Sequence, residues 1–321
     1  MMKHQERTIS IIGAGALGML FGTYSYLSGY NVQYITRRKK QASLIEEKGI
    51  SVTLGDGQTV QYVPQAFACD EIKAPLVADL VLVVVKQPQL LELLPWLSNY
   101  VAPWSELLFL MNGLGHKEKV EHFLPKHTVM YGITQCGATR LSDWETMERG
   151  KGVTMIGSPQ GLNPPGVQRW KNAIAPYLEI VYSDDIEAEL WSKAMINACI
   201  NPITALFEVP NGALITNKHL NWMMREVYEE LIPLFSKVWG ENHPLVSAGE
   251  ALWKKVINVC QQTAENRSSM LQDIVHHRKT EIEALNGYFV HLSERYGLKL
   301  TVNQLLYKAI LALEEKSTTS R

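Results

Sequence analysis

The stretch from Thr8 to Gly22, TISIIGAGALGMLFG, constrains the fold of this chain more than any other. Residues 8–12 are mostly β-branched, which favours a strand, and they run into three glycines spaced G-x-G-x-x-G. Apolar residues at helical spacing follow. A strand, a glycine turn and a helix in this order are the context in which the pattern binds a dinucleotide. The glycine pattern alone is weak evidence, and a plain glycine-rich strand-to-helix turn is the alternative.

Each glycine has its own physical function in such a turn. Gly13 permits the tight turn, Gly15 lets a diphosphate approach the backbone because no Cβ intervenes, and Gly18 lets the helix pack close to the strand. The free N–H groups at the positive end of the helix then face the diphosphate. We therefore expect cofactor contacts from Gly13, Ala14, Gly15, Ala16, Leu17 and Gly18.

The end of the next predicted strand, residues 32–35, indicates which dinucleotide fits. An acidic residue there would hydrogen-bond the ribose 2′-hydroxyl of NAD, but this chain continues with the basic run Arg37–Lys40 and has no acid before Glu46. A carboxylate would repel a 2′-phosphate, whereas a guanidinium binds it with paired hydrogen bonds. We expect NADPH/NADP+ as the cofactor, with Arg37 as a contact. A solvated basic turn is the alternative.

Two polar residues follow further predicted strands. Residues 78–85 form an almost continuous apolar run, typical of a central parallel strand covered on both faces, and Lys86 follows it. A second such strand, at residues 107–111, is followed by Asn112. Ligands bind at the carboxyl ends of strands in open α/β sheets, so both side chains are candidate contacts. An exposed lysine and a turn-forming Asn–Gly pair are the structural alternatives.

The character of the chain changes near residue 183, where strand patterns give way to amphipathic helices. Lys193, Asn197 and Asn201 recur at i, i+4 and i+8, so they line one face of a predicted helix. Such polar groups in an apolar helix need partners, which a cleft between two domains would supply. A buried structural network or an exposed polar stripe is the alternative. Pro202 predicts a bend or a break in this helix.

Composition restricts the class of protein. The 321 residues, 46% of them hydrophobic, suffice for about two globular domains, and a net charge of −1 gives no reason to expect a nucleic-acid or membrane partner. The four cysteines form no C-x-x-C pair, and the N-terminus lacks the apolar segment of a secretion signal. We therefore expect reduced thiols and a cytoplasmic location. The paired histidines His276 and His277 lack metal-ligand spacing and a matching acidic motif, so no metal site is expected.

These patterns together predict an α/β fold. Residues 1–183 are expected to form a Rossmann-type dinucleotide-binding domain that takes NADP. Residues 184–321 are expected to form an all-α domain that carries the substrate and catalytic groups. The segment from 159 to 165 is expected to be a proline-rich loop, and the polar connection around residues 143–148 is left unassigned.

Four blocks of sequence resemble the ketopantoate reductases (2-dehydropantoate 2-reductases) over almost the whole chain. They are GAGALG at 13–18, NGLG at 112–115, AELWSKAMINACINP at 188–202, and SSMLQD at 268–273 with TEIE at 280–283. The resemblance implies NADPH-dependent reduction of ketopantoate to (R)-pantoate, a step of pantothenate and coenzyme A biosynthesis.

The resemblance also implies the roles of individual residues. Lys193 matches the general acid of the family. Asn112 and Glu281 match residues near both the nicotinamide and the substrate, whereas Arg37 and Lys86 match contacts to the adenosine phosphate end of the cofactor. Ala138 matches a backbone contact to the cofactor. The implied substrate contacts are Asn112, Asn197, Asn201, Asn211 and Ser269.

Some expectations rest on the resemblance alone, and other functions stay open. Ser269 and Glu281 would lie about 120° apart on a straight helix, so spacing does not pair them. The alternatives are a related 2-keto acid reductase with another substrate and an NADPH-binding sensor without turnover. The set Asn197, Asn201 and Ser269 favours ketopantoate, and Lys193 argues against the sensor. A small-molecule substrate and a monomer or homodimer are expected.

Overall fold

The computed structural model describes residues 7–319 of the chain, with side chains for residues 7–316. Most of the N-terminal stretch in which no secretion signal is expected, residues 1–6, lies outside the described residues. The chain divides into two compact units. The first contains the described residues up to Met111 together with His116–Glu189, and the second contains Asn112–Gly115 and the residues from Leu190 onwards.

The first unit is built on two β-sheets. Their strands are β1 (Thr8–Ile12), β2 (Asn31–Thr36), β3 (Ile50–Thr53), β4 (Thr59–Tyr62), β5 (Gln65–Ala68), β6 (Leu80–Val83), β7 (Glu106–Leu110), β8 (Thr128–Thr134), β9 (Gly137–Arg140), β10 (Glu145–Gly150), β11 (Thr154–Gly157) and β12 (Ile180–Tyr182). The larger sheet has the order β12-β11-β8-β7-β6-β1-β2-β5, in which the strands from β8 to β5 are parallel. The smaller sheet has the order β4-β3-β10-β9.

Helices accompany the sheets in the first unit and form the second. The first unit contains α1 (Ala16–Leu27), α2 (Lys39–Lys48), α3 (Gln87–Tyr100), α4 (His116–Phe123) and α5 (Pro165–Ile174). Helix α6 (Ile186–Phe207) begins in the first unit and continues into the second. The second unit adds α7 (Ala213–Thr216), α8 (Lys218–Trp239), α9 (Pro244–Ser247), α10 (Gly249–Gln262), α11 (Ser269–Val275), α12 (Asn286–Arg295) and α13 (Thr301–Thr319).

The expected fold class is confirmed: a Rossmann-like parallel-sheet unit is followed by a helical one. The strand, glycine turn and helix at the N-terminus are β1, the turn at 13–15 and α1. The apolar run at 78–85 contains β6, which lies between β1 and β7 and whose four residues are completely buried. A strand covered on both faces has no polar face to present, which is why its sequence does not alternate.

The predicted proline-rich loop at 159–165 is a loop as far as Pro164, and α5, which the sequence did not predict, begins at Pro165. Pro165 is its first residue, a position that proline tolerates because the N–H it lacks would have no helical acceptor. The carboxylate of Glu106 on β7 accepts hydrogen bonds from the backbone N–H groups of Gly166 (2.9 Å) and Val167 (2.7 Å). Glu106, which is distant in sequence, therefore satisfies N–H groups of the first turn of this helix. No local sequence pattern could indicate this contact.

The unassigned polar connection forms part of the β9–β10 hairpin. Glu148 on β10 is 4% exposed, and its carboxylate accepts hydrogen bonds from the Tyr24 hydroxyl (2.9 Å) and the Gly55 N–H (2.8 Å). The glutamate thus connects α1 with the β3–β4 turn. Its partners explain how a charged residue is accommodated in the interior.

Three further features bear on earlier expectations. Pro202 does not break α6, which is helical from Ile186 to Phe207. None of the helices in residues 7–319 combines the length and the apolar character needed to cross a bilayer. All four cysteines are free thiols, as expected.

Candidate functional site

The glycine turn after β1 has the geometry that each of its glycines was expected to permit. Gly13 has a φ of +102°, and a Cβ there would lie 2.5 Å from the carbonyl oxygen of Val84. A Cβ at Gly18 would collide with the carbonyl oxygen of Gly13. Apart from its chain neighbours, no described residue would lie within 4 Å of a Cβ at Gly15, and no side chain within that part of the chain caps α1. The turn therefore offers open space and uncapped helical N–H groups, as a bound diphosphate requires.

Three of the expected cofactor residues follow strands that end at the same edge of the larger sheet. Ile12 on β1 is in register with Ile35 on β2 and with Val83 on β6. Gly13, Arg37 and Lys86 come shortly after these strand ends. The chain leaves β1 towards β2 on one side, and β6 lies on the other side. This is the reversal of strand order at which open α/β sheets bind their ligands.

In the basic run after β2, one arginine has no counter-ion among the described side chains. Arg37 is exposed and makes no ion pair with the residues whose side chains the structure describes. Arg38 binds Asp143, as does Arg140, and Lys39 pairs with Glu71 at 2.7 Å. Partial burial alone would raise the pKa of Asp143, but the hydrogen bond from Arg38 and the charge of Arg140 lower it.

Gln41 in α2 is a residue of this region that the sequence did not reveal. It is 6% exposed, and its Nε2 donates to the carbonyl oxygens of Ala14 (2.7 Å) and Asp143 (2.9 Å). The side chain therefore ties the glycine turn to the β9–β10 hairpin. Ala138 lies in β9, which packs against α1. A single polar residue in the first turn of a helix carries no pattern that would have singled it out.

The second unit contains the polar stripe of α6. Lys193 and Asn197 are half-buried and Asn201 is 7% exposed, so the side chains are neither a solvated face nor a fully enclosed one. The start of α12 lies along the same part of α6. The ring of Trp191 packs against that of Phe289, with centroids 5.8 Å apart, and Asn286 Nδ2 donates to the carbonyl oxygen of Ala198 (3.2 Å).

The N-G-L-G turn belongs to the second unit, although it directly follows β7. Asn112 Nδ2 donates to Glu281 Oε2 over 3.4 Å, and the N–H of Leu114 donates to the carbonyl oxygen of Ala284 (2.8 Å). Gly113 has a φ of +77°, and a Cβ there would lie 2.7 Å from Ala284. The structure therefore brings together Asn112 and Glu281, which lie 169 positions apart in the chain.

Ser268, rather than Ser269, caps α11. Its Oγ accepts from the N–H of Leu271 (3.1 Å) and also from Thr204 Oγ1 (2.7 Å). Thr204 lies three residues beyond Asn201 and continues the polar stripe, so it joins the stripe to the start of α11. Ser269, the expected substrate contact, is the exposed first residue of that helix. The continuation of the stripe to Thr204 is visible in the sequence and was missed.

Asn211 lies beside the same connection. Its N–H donates to the carbonyl oxygen of Asn266 (3.0 Å), and its Nδ2 donates to Thr263 Oγ1 (2.8 Å). Its Oδ1 is buried and has no hydrogen-bond partner among residues 7–316. A buried acceptor of this kind has a desolvation cost until a donor reaches it. The segment before α7 and the segment before α11 are therefore held together.

Glu281 is not on the same helix as Ser269. Helix α11 ends at Val275, and Glu281 comes immediately before the short 3-10 turn Ile282–Ala284. The preceding Thr280 donates through its N–H (2.8 Å) and its hydroxyl (2.6 Å) to Glu314 Oε1 on α13. The angular separation on a straight helix therefore does not describe this pair.

The chain is similar to known families and proteins over almost its whole length. The family model described as Ketopantoate reductase PanE/ApbA matches residues 9–161, and the model described as Ketopantoate reductase PanE/ApbA C terminal matches residues 185–314. A 2-dehydropantoate 2-reductase of Bacillus subtilis (strain 168) is 33% identical over 309 residues, with 96% of this chain and 98% of the relative covered. One from Archaeoglobus fulgidus is 31% identical, with 95% and 97% covered.

Solved structures give the same result. The probable 2-dehydropantoate 2-reductase of Bacillus subtilis superposes with a TM-score of 0.80 at 32% identity, over 95% of this chain and 99% of that one. A D-mandelate dehydrogenase solved with NADH and anilino(oxo)acetate has a TM-score of 0.83 at 24% identity, over 97% and 99%, and shares the fold. The chain therefore belongs to the ketopantoate reductase (2-dehydropantoate 2-reductase) family of oxidoreductases.

Proposed function

We propose that this protein catalyses the NADPH-dependent reduction of 2-dehydropantoate to (R)-pantoate, in pantothenate and coenzyme A biosynthesis. The observation that carries the proposal is the hydrogen bond between Asn112 and Glu281, within the unit that also holds Lys193 and the asparagine stripe of α6. Membership of the family supports the same activity. We assign cofactor binding to residues 1–183 and substrate binding and catalysis to residues 184–321.

In this proposal the first unit holds the cofactor. The N–H groups of the turn from Gly13 to Gly18 bind the diphosphate, because a phosphate is stabilised by uncapped N–H groups at a helix start. Arg37 binds the 2′-phosphate, since its guanidinium has no counter-ion among the side chains of residues 7–316. Lys86 contacts the adenosine phosphate end, and Ala138 supplies a backbone contact. When bound, NADPH supplies the hydride that adds to the ketone carbon.

The second unit binds the substrate and supplies the proton. Asn197, Asn201, Asn211 and Ser269 would hold the substrate carboxylate and hydroxyl without adding charge. The buried Oδ1 of Asn211 supports this role, because a substrate hydroxyl could satisfy it. A lysine side chain with an unshifted pKa is protonated at neutral pH, which suits Lys193 to polarise the ketone and donate a proton to the oxygen. Asn112 and Glu281 would lie near the nicotinamide and the substrate.

The proposal is tested by following NADPH oxidation with ketopantoate and a panel of other 2-keto acids, each repeated with NADH. We expect rapid turnover only when ketopantoate is the substrate and NADPH is the cofactor. Turnover with a different 2-keto acid would retain the fold and the lysine but change the substrate. Tight binding of NADPH without turnover on any keto acid would favour a sensor. Light scattering of the same sample distinguishes a monomer from a homodimer.

Lys193→Ala tests the assignment of the proton donor. Removing a positioned general acid lowers turnover by roughly 10²–10⁴-fold, and the affinity for NADPH should not change. Lys254→Ala is the matched control, because Lys254 is an exposed lysine on α10 and should leave turnover unaltered. Near-normal turnover in the Lys193 variant would remove this residue from the mechanism.

A further inference from the structure

Proline in the middle of α6 leaves a backbone acceptor without its helical donor. Pro202 has no N–H, so it cannot donate the helical hydrogen bond that the carbonyl oxygen of Ala198, four residues earlier, would otherwise receive from this position. Asn286, the first residue of α12, donates to that oxygen through Nδ2 over 3.2 Å. Asn286 is completely buried. The side chain of one helix therefore replaces the N–H that proline removes from another.

A chain of hydrogen bonds fixes the orientation of this amide. Asn303 Nδ2 donates to two acceptors, the carbonyl oxygen of Val227 (3.2 Å) and Glu230 Oε2 (2.9 Å), so its Oδ1 must face the other way. That Oδ1 accepts from Asn286 Nδ2 over 2.9 Å. Both neighbours of the Asn286 amino group are therefore acceptors, and rotating the amide would place oxygen against oxygen.

The network extends to the start of α13. The Glu230 carboxylate accepts from the N–H groups of Val302 (2.8 Å) and Asn303 (3.1 Å), which lie in the first turn of that helix and have no helical acceptor. Asn286 Oδ1 has no hydrogen-bond partner in the described part of the chain. The two donated hydrogen bonds are thus what this buried side chain gains from its position.

We propose that Asn286 is a positioning residue for the polar stripe of α6, which acts by satisfying the Ala198 carbonyl that Pro202 leaves open. This inference rests on the proposed function. Ala198 directly follows Asn197, and Pro202 directly follows Asn201. An unsatisfied carbonyl between these two turns would rotate towards any available donor and tilt the turn that carries both amides. Asn286 also fixes the start of α12, five residues after Glu281.

The test compares Asn286→Ala with a matched control, Asn303→Ala. Both side chains are completely buried members of the same network, so both variants should unfold at a lower temperature. Only Asn286→Ala opens the Ala198 carbonyl, because in Asn303→Ala the Asn286 amino group keeps that carbonyl as an acceptor and therefore keeps its orientation. We expect it to lower kcat for ketopantoate about tenfold, with KM for NADPH unchanged, and we expect Asn303→Ala to retain kcat. Equal kcat losses in the two variants would show a merely structural role and overturn the proposal.

A second variant supplies a rescue. Pro202→Ala restores the helical N–H, so the double variant Asn286→Ala/Pro202→Ala should recover kcat. Adding Pro202→Ala to Asn303→Ala should leave kcat unchanged. In the same variants, the rate of amide hydrogen exchange is measured for the peptide spanning residues 193–201. Exchange should be faster in Asn286→Ala and return to normal in the double variant. Unchanged exchange in Asn286→Ala would also overturn the proposal.

The exchange measurement separates this inference from the proposed function. If the wild-type protein does not reduce ketopantoate, the proposed function fails. The coupling between Asn286 and Pro202 would still be measured by exchange in α6. If the wild-type protein is active and the exchange pattern is absent, only the inference fails.

Discussion

At the scale of single residues, the basic run after β2 shows how neighbouring charges acquire different roles. Arg38 and Lys39 each have a carboxylate partner, Asp143 and Glu71 respectively, while Arg37 has none among the described side chains. Exposed ion pairs contribute little to stability, but a cation that is already paired is less available to bind a ligand anion. Arg37 is therefore the arginine of this run best suited to bind a ligand anion.

Arg37→Ala should weaken NADPH binding far more than NADH binding. A charge-assisted hydrogen-bond pair to a phosphate contributes enough that its loss raises KM for NADPH about 10- to 100-fold, and NADH lacks that phosphate. The measurement is KM for both cofactors under identical conditions. Lys39→Ala is the control, because that ammonium is paired with Glu71, and it should alter neither value. An equal loss for both cofactors in Arg37→Ala would argue against recognition of the 2′-phosphate.

At the scale of elements, two positions of the glycine turn lack a side chain for different reasons. At Gly18 the obstacle is the protein itself, since a Cβ would collide with the carbonyl oxygen of Gly13. At Gly15 no described residue other than its chain neighbours lies within 4 Å of the added Cβ, and φ is −85°, which any residue adopts. The space beside Gly15 is therefore compatible with a ligand and unnecessary for folding.

Gly15→Ala and Gly18→Ala should consequently differ in what they impair. Gly18→Ala forces α1 away from the turn and should lower the free energy of unfolding by about 1–3 kcal/mol. Gly15→Ala should leave unfolding of the ligand-free protein almost unchanged and yet weaken NADPH binding. Thermal unfolding without ligand and a fluorescence titration with NADPH measure the two effects. If Gly15→Ala unfolds as early as Gly18→Ala, the space is not reserved for a ligand.

The elements that the sequence predicted correctly are those with a strong local signal. The β-branched run before Gly13 and the apolar run at 78–85 report burial on one or both faces, and both are strands. Helix α5 and the β9–β10 hairpin were missed, because their stability comes from distant side chains such as Glu106 and from Glu148 in the interior. Pro202 indicated an interruption that a side chain from α12 compensates.

At the scale of the whole molecule, the candidate site consists of segments that only tertiary structure brings together. The stripe at 193–201 was predictable from its spacing, because one helix carries it. The proximity of Asn112 to Glu281 and of Thr204 to Ser268 depends on long connections, for which local periodicity contains no information. The resemblance to known reductases indicated Asn112 and Glu281 as members of one site, and the physical pattern of the sequence did not.

His116 lies where the chain returns from the N-G-L-G segment to the first unit. It is 1% exposed, and Gln87 Nε2 lies 2.9 Å from its Nδ1. An amide nitrogen only donates, so Nδ1 accepts and Nε2 carries the ring proton. That Nε2 has no hydrogen-bond partner in the part of the chain that the structure describes. Burial, assisted by the charge of Lys119, lowers the pKa of His116 to about 4.

Acidification should therefore destabilise the whole protein through His116. In the unfolded chain this histidine titrates near pH 6.5, so between pH 6.5 and 4 only the unfolded state takes up the proton, and stability falls with pH. The loss is about 1.4 kcal/mol per pH unit, roughly 3 kcal/mol in all, and it levels off below pH 4. Urea unfolding at a series of pH values measures it. His116→Asn keeps an acceptor for Gln87 but cannot titrate, so the carboxylates account for its remaining pH dependence. We expect the wild-type curve to fall more steeply than the variant curve in this window. Parallel curves would mean that His116 is not buried as a neutral ring.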